Sequence, residues 1–214
     1  MKDAVIFIKE LWRGKDLCRI LMNLECRKFA LEGHVLDIGS GLNRASYHRF
    51  FKISPDAEIF SLDQAVSEID FEKDKLPYKD NSMDAILIFN LLEHIYNYSF
   101  LLAEIKRVLK PGGQMIGAAP FLVGYHPDPH DYWRYTNEAL FKIFKGQNFK
   151  NIEIKPIGRG PFTAVYSQVE FMLPRVLKII KLPVVLFLDR LIFKIKPNFN
   201  REKFALGLFF SGIK

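Results

Sequence analysis

Cysteine is nearly absent from this chain: its 214 residues contain two, Cys18 and Cys26. They fall in a helical pattern and are separated by about 12 Å of helical rise, too far for a disulfide. This excludes a disulfide-stapled domain and a cysteine-ligated metal centre, and it suits reduced thiols in a cytoplasmic protein. Long apolar runs are missing too, so no stretch reaches the length that spans a bilayer. Lys9, Glu10, Arg13, Lys15 and Asp16 interrupt the apolar positions near the start, which therefore lacks the shape of a signal peptide.

An acidic excess is also missing. The formal net charge is +7, and its placement is uneven. Residues up to Phe149 carry 19 Lys and Arg against 20 Asp and Glu, whereas Lys150 to Lys214 carry 12 against 4. The whole basic surplus sits in the last third, which points to one basic partner surface rather than a generally basic protein. Its cations alternate with large aliphatics instead of stacking aromatics, and no RNA-binding motif accompanies them, so nucleic acid is disfavoured.

What is present begins with Val35 to Arg44, VLDIGSGLNR. Apolar residues and an acid run straight into a turn with Gly39 and Gly41, as when a buried parallel strand delivers its C-terminal end to a ligand. Asp37 offers an acceptor at the strand's mouth, and glycine lets backbone approach a bound molecule. Arg44 occupies the sixth position where a dinucleotide fingerprint needs glycine, and no Gly-Lys-Ser/Thr follows for a P-loop. Ala45 to Lys52 reads as a short helix whose N-terminus faces the ligand. EIFSLDQ, residues 58–64, is a second strand ending in Asp63 and Gln64. A carboxylate there, about twenty residues beyond the glycines, suits the hydroxyls of a ribose.

Further along, MDAILIFN (83–90) has the continuous apolar character of a central strand, with Asn90 emerging at its end. A helix over Phe100 to Leu109 stops at Lys110-Pro111-Gly112-Gly113, and the chain reverses into a strand over Gln114 to Ala119. The alternating order implies a parallel sheet with helices on both faces.

The Asp-x-Gly-x-Gly turn, Leu76-Pro77, the string DNSMDAILIFNLLEHI and the Leu-Lys-Pro-Gly-Gly turn together resemble the class I S-adenosylmethionine (SAM) dependent methyltransferases of the type 11 kind. The resemblance covers roughly residues 33–150 and implies a Rossmann-like α/β fold. It further implies a mostly parallel seven-stranded sheet of order 3-2-1-4-5-7-6, with a short third strand within residues 67–80. It implies SAM as cofactor, held by Asp37, Gly39, Ser40, Gly41, Asp63, Gln64 and Asn90. An acid, read as Asp70, would accept the adenine amino group while Phe71 lies against the ring. The chain departs from the family where a third glycine is Asn43, a residue that tolerates the left-handed conformation.

The segment FLVGYHPDPHDYWRYT, residues 121–136, follows the fifth strand, where acceptors bind in open α/β sheets. Three readings stay open. His126, Asp128, His130 and Asp131 offer nitrogen and oxygen ligands, but no second acidic cluster completes a metal site, so none is assigned. His130, paired with Asp131 or His94, could take a proton from an acceptor hydroxyl, and these two histidines are the catalytic candidates. Alternatively, Asp131 and Arg134 brace the loop, Tyr132 and Trp133 cover the core edge, and Thr136 caps the helix NEALFKIF. The string His-Asp-Tyr-Trp-Arg-Tyr-Thr resembles one in SAM methyltransferases encoded with glycan biosynthesis genes.

The chain is read as one domain over residues 1–214: N-terminal helices (1–32), a core (33–160), an apolar and basic helical insertion (161–197), and a last strand (204–214). Pro174 and Pro183 divide the insertion. Arg175, Lys178 and Lys181 lie on one face, with Val176, Leu177, Ile179 and Ile180 on the other. That pattern suits helices lying on an anionic membrane surface, and equally an apolar face packed on the core or a second subunit. The expected function is methyl transfer to a small-molecule or glycan acceptor, lipid-linked in one reading, by a cytoplasmic protein that can sit at the membrane. The alternative is a catalytically silent SAM-fold module that anchors a membrane or partner, and RNA methylation ranks third.

Overall fold

The computed structural model describes residues 2–41, 45–64, 67–198 and 200–214. Two N-terminal helices, α1 (Lys2–Trp12) and α2 (Leu17–Cys26), lead into β1 (Ala30–Leu31), β2 (His34–Ile38), β3 (Lys52–Ile53), β4 (Glu58–Leu62) and β5 (Met83–Phe89). Then come α3 (Tyr98–Val108), β6 (Leu109–Pro120), α4 (Asn137–Gly146), β7 (Lys150–Ile157), α5 (Pro161–Val169), α6 (Arg175–Ile195) and β8 (Gly207–Ile213). Gly14 breaks the N-terminal helices in the left-handed region, and the Asp16 side chain accepts from Arg19 N to cap α2.

Six strands form the main sheet in the order β4-β2-β5-β6-β8-β7. The pairings β4–β2, β2–β5 and β5–β6 are parallel, and β8 runs antiparallel to both β6 and β7. In the expected numbering this is 2-1-4-5-7-6, so the sheet is mixed and the predicted third strand is missing among the described residues. Residues 67–80 make turns and loops instead, because their charged side chains bind nearby backbone. Asp70 Oδ1 accepts from Glu72 N, and Glu72 accepts from Tyr96 N and Asn97 N. β1 and β3 form a separate two-stranded parallel sheet.

Both faces of the central strands are covered, which explains their unbroken apolar runs. Leu36, Ile38, Ile86 and Ile88 pack with Leu102 and Ile105 of α3 and Phe144 of α4. Val35, Ala85, Leu87 and Phe89 pack on the opposite face with Leu17, Ile20 and Leu21 of α2 and with Leu182 of α6. Truncating one of these fully buried leucines to alanine costs about 2–5 kcal/mol.

Two expected elements take other forms. The helix predicted over residues 45–52 is a short 3-10 turn, His48–Phe50, followed by β3. Tyr47 and His48 are tethered to Asp37, and that anchoring sets the path of the chain. Pro183 does not divide the insertion: α6 runs through it for 21 residues, forgoing the one hydrogen bond that proline cannot donate. Asp189 of α6 accepts from Phe162 N and Thr163 N, capping α5 and fastening the two insertion helices together.

Candidate active site

The C-terminal ends of β2, β4, β5 and β6 meet where the cofactor was expected. Gly39 has φ +79°, its N–H donates to Leu62 O at 2.8 Å, and a Cβ would stand 3.0 Å from Leu91 Cδ1. Gly41 has φ +72° and open space where a Cβ would be. Its N–H donates to Asp63 Oδ2 at 2.7 Å, joining the glycine turn to the end of β4. Between them, Ser40 Oγ is buried and has no hydrogen-bond partner among the described residues. A turn with left-handed glycines, an orphaned hydroxyl and a carboxylate at the neighbouring strand end fits the hydroxyls and carboxylate of SAM. Gln64 is exposed just beyond Asp63, and Asn90, with φ +50°, donates from its N–H to Ala118 O. Asn43 lies outside the described residues.

Asp37 is turned elsewhere. Alternation along β2 sends its side chain to the face that carries Val35, and it is fully buried there. Tyr47 Oη donates to both of its oxygens, at 2.7 and 2.9 Å, and His48 Nε2 lies 2.6 Å from Oδ2. Burial pushes its carboxyl upward, and the hydrogen bonds from His48 and Tyr47 oppose that shift. Asp70 binds Lys73 at 3.0 Å on the surface, and Phe71 is buried in the core among Leu62 and Leu76. Phe71 is therefore a core residue, because the loop folds its aromatic ring inward.

Across Asn90 from the glycine turn, a cleft of about 480 Å³ opens at the ends of β5 and β6. Arg19 and Met22 of α2 form one wall, Phe171 and Lys178 of the insertion another, and His126 a third. Glu170 also lines the cleft, although it is 3 % exposed. Its Oε1 accepts from Leu17 N at 2.8 Å, and its Oε2 is buried with no hydrogen-bond partner among the described residues. Burial raises its carboxyl to about 7; nearby Asp16 adds to that shift, while the Leu17 N–H and Lys178 oppose it.

The loop after β6 divides the sequence-predicted residues. Asp131 accepts from Arg134 Nη1 and Nη2 at 2.5 and 2.8 Å and from His126 N at 2.9 Å. The Arg134 guanidinium holds its carboxyl far below the usual carboxylate range. Trp133 Nε1 donates to Ile95 O, and Thr136 Oγ1 accepts from Ala139 N to cap α4. The His130 ring is exposed beside Tyr132, and its backbone oxygen accepts from His94 Nδ1 at 2.5 Å. His94 and His126 both turn Nε2 toward Glu93, at 3.7 and 3.9 Å.

A family model described as a methyltransferase domain matches residues 36–117, from β2 into β6. An uncharacterized protein of Methanocaldococcus jannaschii is 31% identical over 175 residues, covering 77% of this chain and 69% of that one. The chain belongs to the class I SAM-dependent methyltransferases. Within that family, a demethylmenaquinone methyltransferase of a Geobacillus species is 26% identical, covering 67% of this chain and 68% of that one. Among solved structures, phosphoethanolamine N-methyltransferase 2 of Haemonchus contortus in complex with SAM shares the fold at 18% identity and TM-score 0.55. That match covers 90% of this chain, which spans about half, 52%, of the nematode chain. A SAM-dependent methyltransferase of Archaeoglobus fulgidus aligns over 92% of this chain and 94% of its own, with 15% identity and TM-score 0.52.

Of the residues proposed from sequence, Asp63, Gly39, Ser40, Gly41 and Asn90 gather at this methyltransferase's expected cofactor end, and Asn90 also lines the cleft. Glu170 was missed. Its signal was present, because it is the only acid between Pro161 and Leu188. Glu93, which is fully buried, carries no such signal, since nothing in a linear string reveals the burial of a carboxylate.

Proposed function

We propose that this chain moves the methyl group of SAM to a small acceptor seated in the cleft bounded by Asn90, Glu170 and His126. The observation that carries this reading is the position of the cleft, next to Asn90 and across from the Gly39–Asp63 turn. Asp63 would take the ribose hydroxyls, and Gly39 to Gly41 would take the methionine end beside Asn90. When bound, the sulfonium supplies an already activated methyl donor, so the protein's main tasks are to align the acceptor and exclude water. α2 and the insertion wall the cleft and serve the second task. For a hydroxyl acceptor, the free Oε2 of Glu170 is the group to take the proton.

The Geobacillus relative's name favours a small, quinone-like acceptor. A lipid-linked or glycan-linked acceptor at the membrane face is the finer reading, and a second apolar stripe on the insertion favours it. Leu182 and Phe193 of α6 face the core, yet Val176, Ile180, Val184, Phe187, Leu191 and Ile195 line an exposed stripe. Arg175, Lys181, Arg190 and Lys194 are exposed on the same helix, as on one that rests on anionic lipid. No helix among the described residues is long and apolar enough to cross a membrane.

Calorimetric titration with SAM, with Asp63→Ala as control, tests the donor reading. Heat with the intact chain and at least about tenfold weaker binding by the variant are expected; no heat with the intact chain sinks the enzyme reading and leaves the silent module. Transfer of tritiated methyl from SAM into fractionated extract then identifies the acceptor class. Flotation with anionic vesicles tests the stripe, and failure to float removes the membrane reading.

A further inference from the structure

We propose that Glu93, His94 and His126 form a site for one divalent transition-metal ion of the zinc type. One ligand atom from each residue lies within 4.8 Å of the others. The Glu93 carboxylate is fully buried, and neither oxygen has a hydrogen-bond partner among the described residues. A buried carboxyl without a donor is costly to ionise, so it needs a proton or a cation.

The two histidines supply no donor in its place. His94 Nδ1 lies 2.5 Å from His130 O, and His126 Nδ1 lies 2.8 Å from Gly124 O. A carbonyl oxygen only accepts, so each neutral ring carries its proton on Nδ1 and leaves the lone pair of Nε2 free. Arg134 Nη2 also approaches His126 Nδ1, but at 3.4 Å, a longer contact than the one to the carbonyl. Both free Nε2 atoms face Glu93 Oε1, at 3.7 and 3.9 Å. The cluster is thus made of acceptors alone. In a tetrahedral zinc site with bonds of about 2.0–2.2 Å, ligand atoms stand about 3.3–3.6 Å apart, so a small inward movement closes these three on an ion.

The surroundings resemble the outer shell of a metal site. Imidazoles that bind metal usually donate their other ring N–H to a carbonyl or carboxylate, which fixes tautomer and orientation. The Asp131–Arg134 pair holds the His126 backbone in place, and Tyr132 N and Trp133 N both donate to Glu93 O, pinning the loop over the carboxylate. Two nitrogens and one oxygen suit zinc and its first-row neighbours rather than magnesium or calcium. Three protein ligands leave at least one position for water or an acceptor oxygen, and His126 also lines the cleft beside Asn90.

The test uses untagged chain stripped with a chelator and without SAM, so that it reads separately from methyl transfer. Titration with zinc chloride by calorimetry should give about one equivalent of tight binding. Cobalt(II) should produce the visible d–d band of a four- or five-coordinate site, and zinc should raise the thermal midpoint by mass action. Glu93→Gln and His126→Ala should each weaken zinc binding at least about tenfold, whereas His130→Ala, which keeps the carbonyl that orients His94, should not. Should Glu93→Gln fail to fold, His126→Ala carries the test, since that residue sits on a surface loop. Absence of saturable binding, or binding unchanged in His126→Ala, overturns the site. SAM titration of the same metal-free protein shows independently whether the donor site is intact.

Discussion

Two fully buried carboxylates stand near the ends of adjacent strands, and they are treated in opposite ways. Asp37, on β2, accepts from the Tyr47 hydroxyl and contacts His48 at 2.6 Å. The Glu93 carboxylate, beyond the end of β5, accepts from no donor among the described residues and faces two imidazole lone pairs. Burial alone therefore does not mark a functional acid. Asp37 spends its lone pairs within the fold and fastens the segment after the glycine turn to the sheet, whereas Glu93 keeps its own for something the chain does not supply. Glu170 is intermediate, with one oxygen satisfied by Leu17 N and the other free at the cleft.

The contrast can be broken most readily at Asp37. Asp37→Ala leaves Tyr47 and His48 buried without their acceptor and should lower unfolding free energy by about 3–5 kcal/mol in urea denaturation. A loss under about 1 kcal/mol would mean that the tether is not structural. A smaller effect is expected at Glu170. Its folded carboxyl, raised to about 7, is protonated where the unfolded one is already ionised, so its stabilising contribution is complete below the ordinary glutamate range and is lost as pH rises through about 7. Glu170→Gln should remove about 2 kcal/mol of stability change across pH 4–7. If the acceptor is a hydroxyl, it should also lower kcat about a hundredfold and abolish the rise in rate toward neutral pH. An unaltered rate profile would return Glu170 to a purely capping role. The smallest effect belongs to Glu93: in the metal-free chain Glu93→Gln should shift stability by less than about 1 kcal/mol at pH 4, where burial keeps the folded carboxyl protonated, the unfolded one is largely protonated too, and no hydrogen bond is lost. A loss as large as that at Asp37 would show that Glu93 is also a scaffold residue.

Much of the fold was legible in the residues. The apolar runs of β2 and β5 and the Thr136 cap announce their elements through local chemistry, and the structure has each of them; the expected Pro-Gly-Gly turn instead lies inside β6, at the break in its register with β5. The missing edge strand was not legible, because Asp70 and Glu72 bind backbone groups whose positions depend on the loop's own path. Pro183 misleads for a related reason: a proline breaks an isolated helix more readily than one packed against the core through Ile179, Leu182 and Leu186. On the insertion both readings of the apolar residues had substance, since one stripe packs inward and the other remains exposed.

The sequence by itself determined the family, the cofactor end of the sheet and the basic character of the insertion, because these depend on turn chemistry, strand patterning and charge along a continuous chain. Only the tertiary structure decided what each buried acid faces. Leu17 and Glu170, or Glu93 and His126, are remote in the chain and meet only after the sheet and its loops have assembled. Whether a carboxylate is satisfied, orphaned or poised beside a cleft depends on donors brought from those distant segments, and no local pattern encodes that.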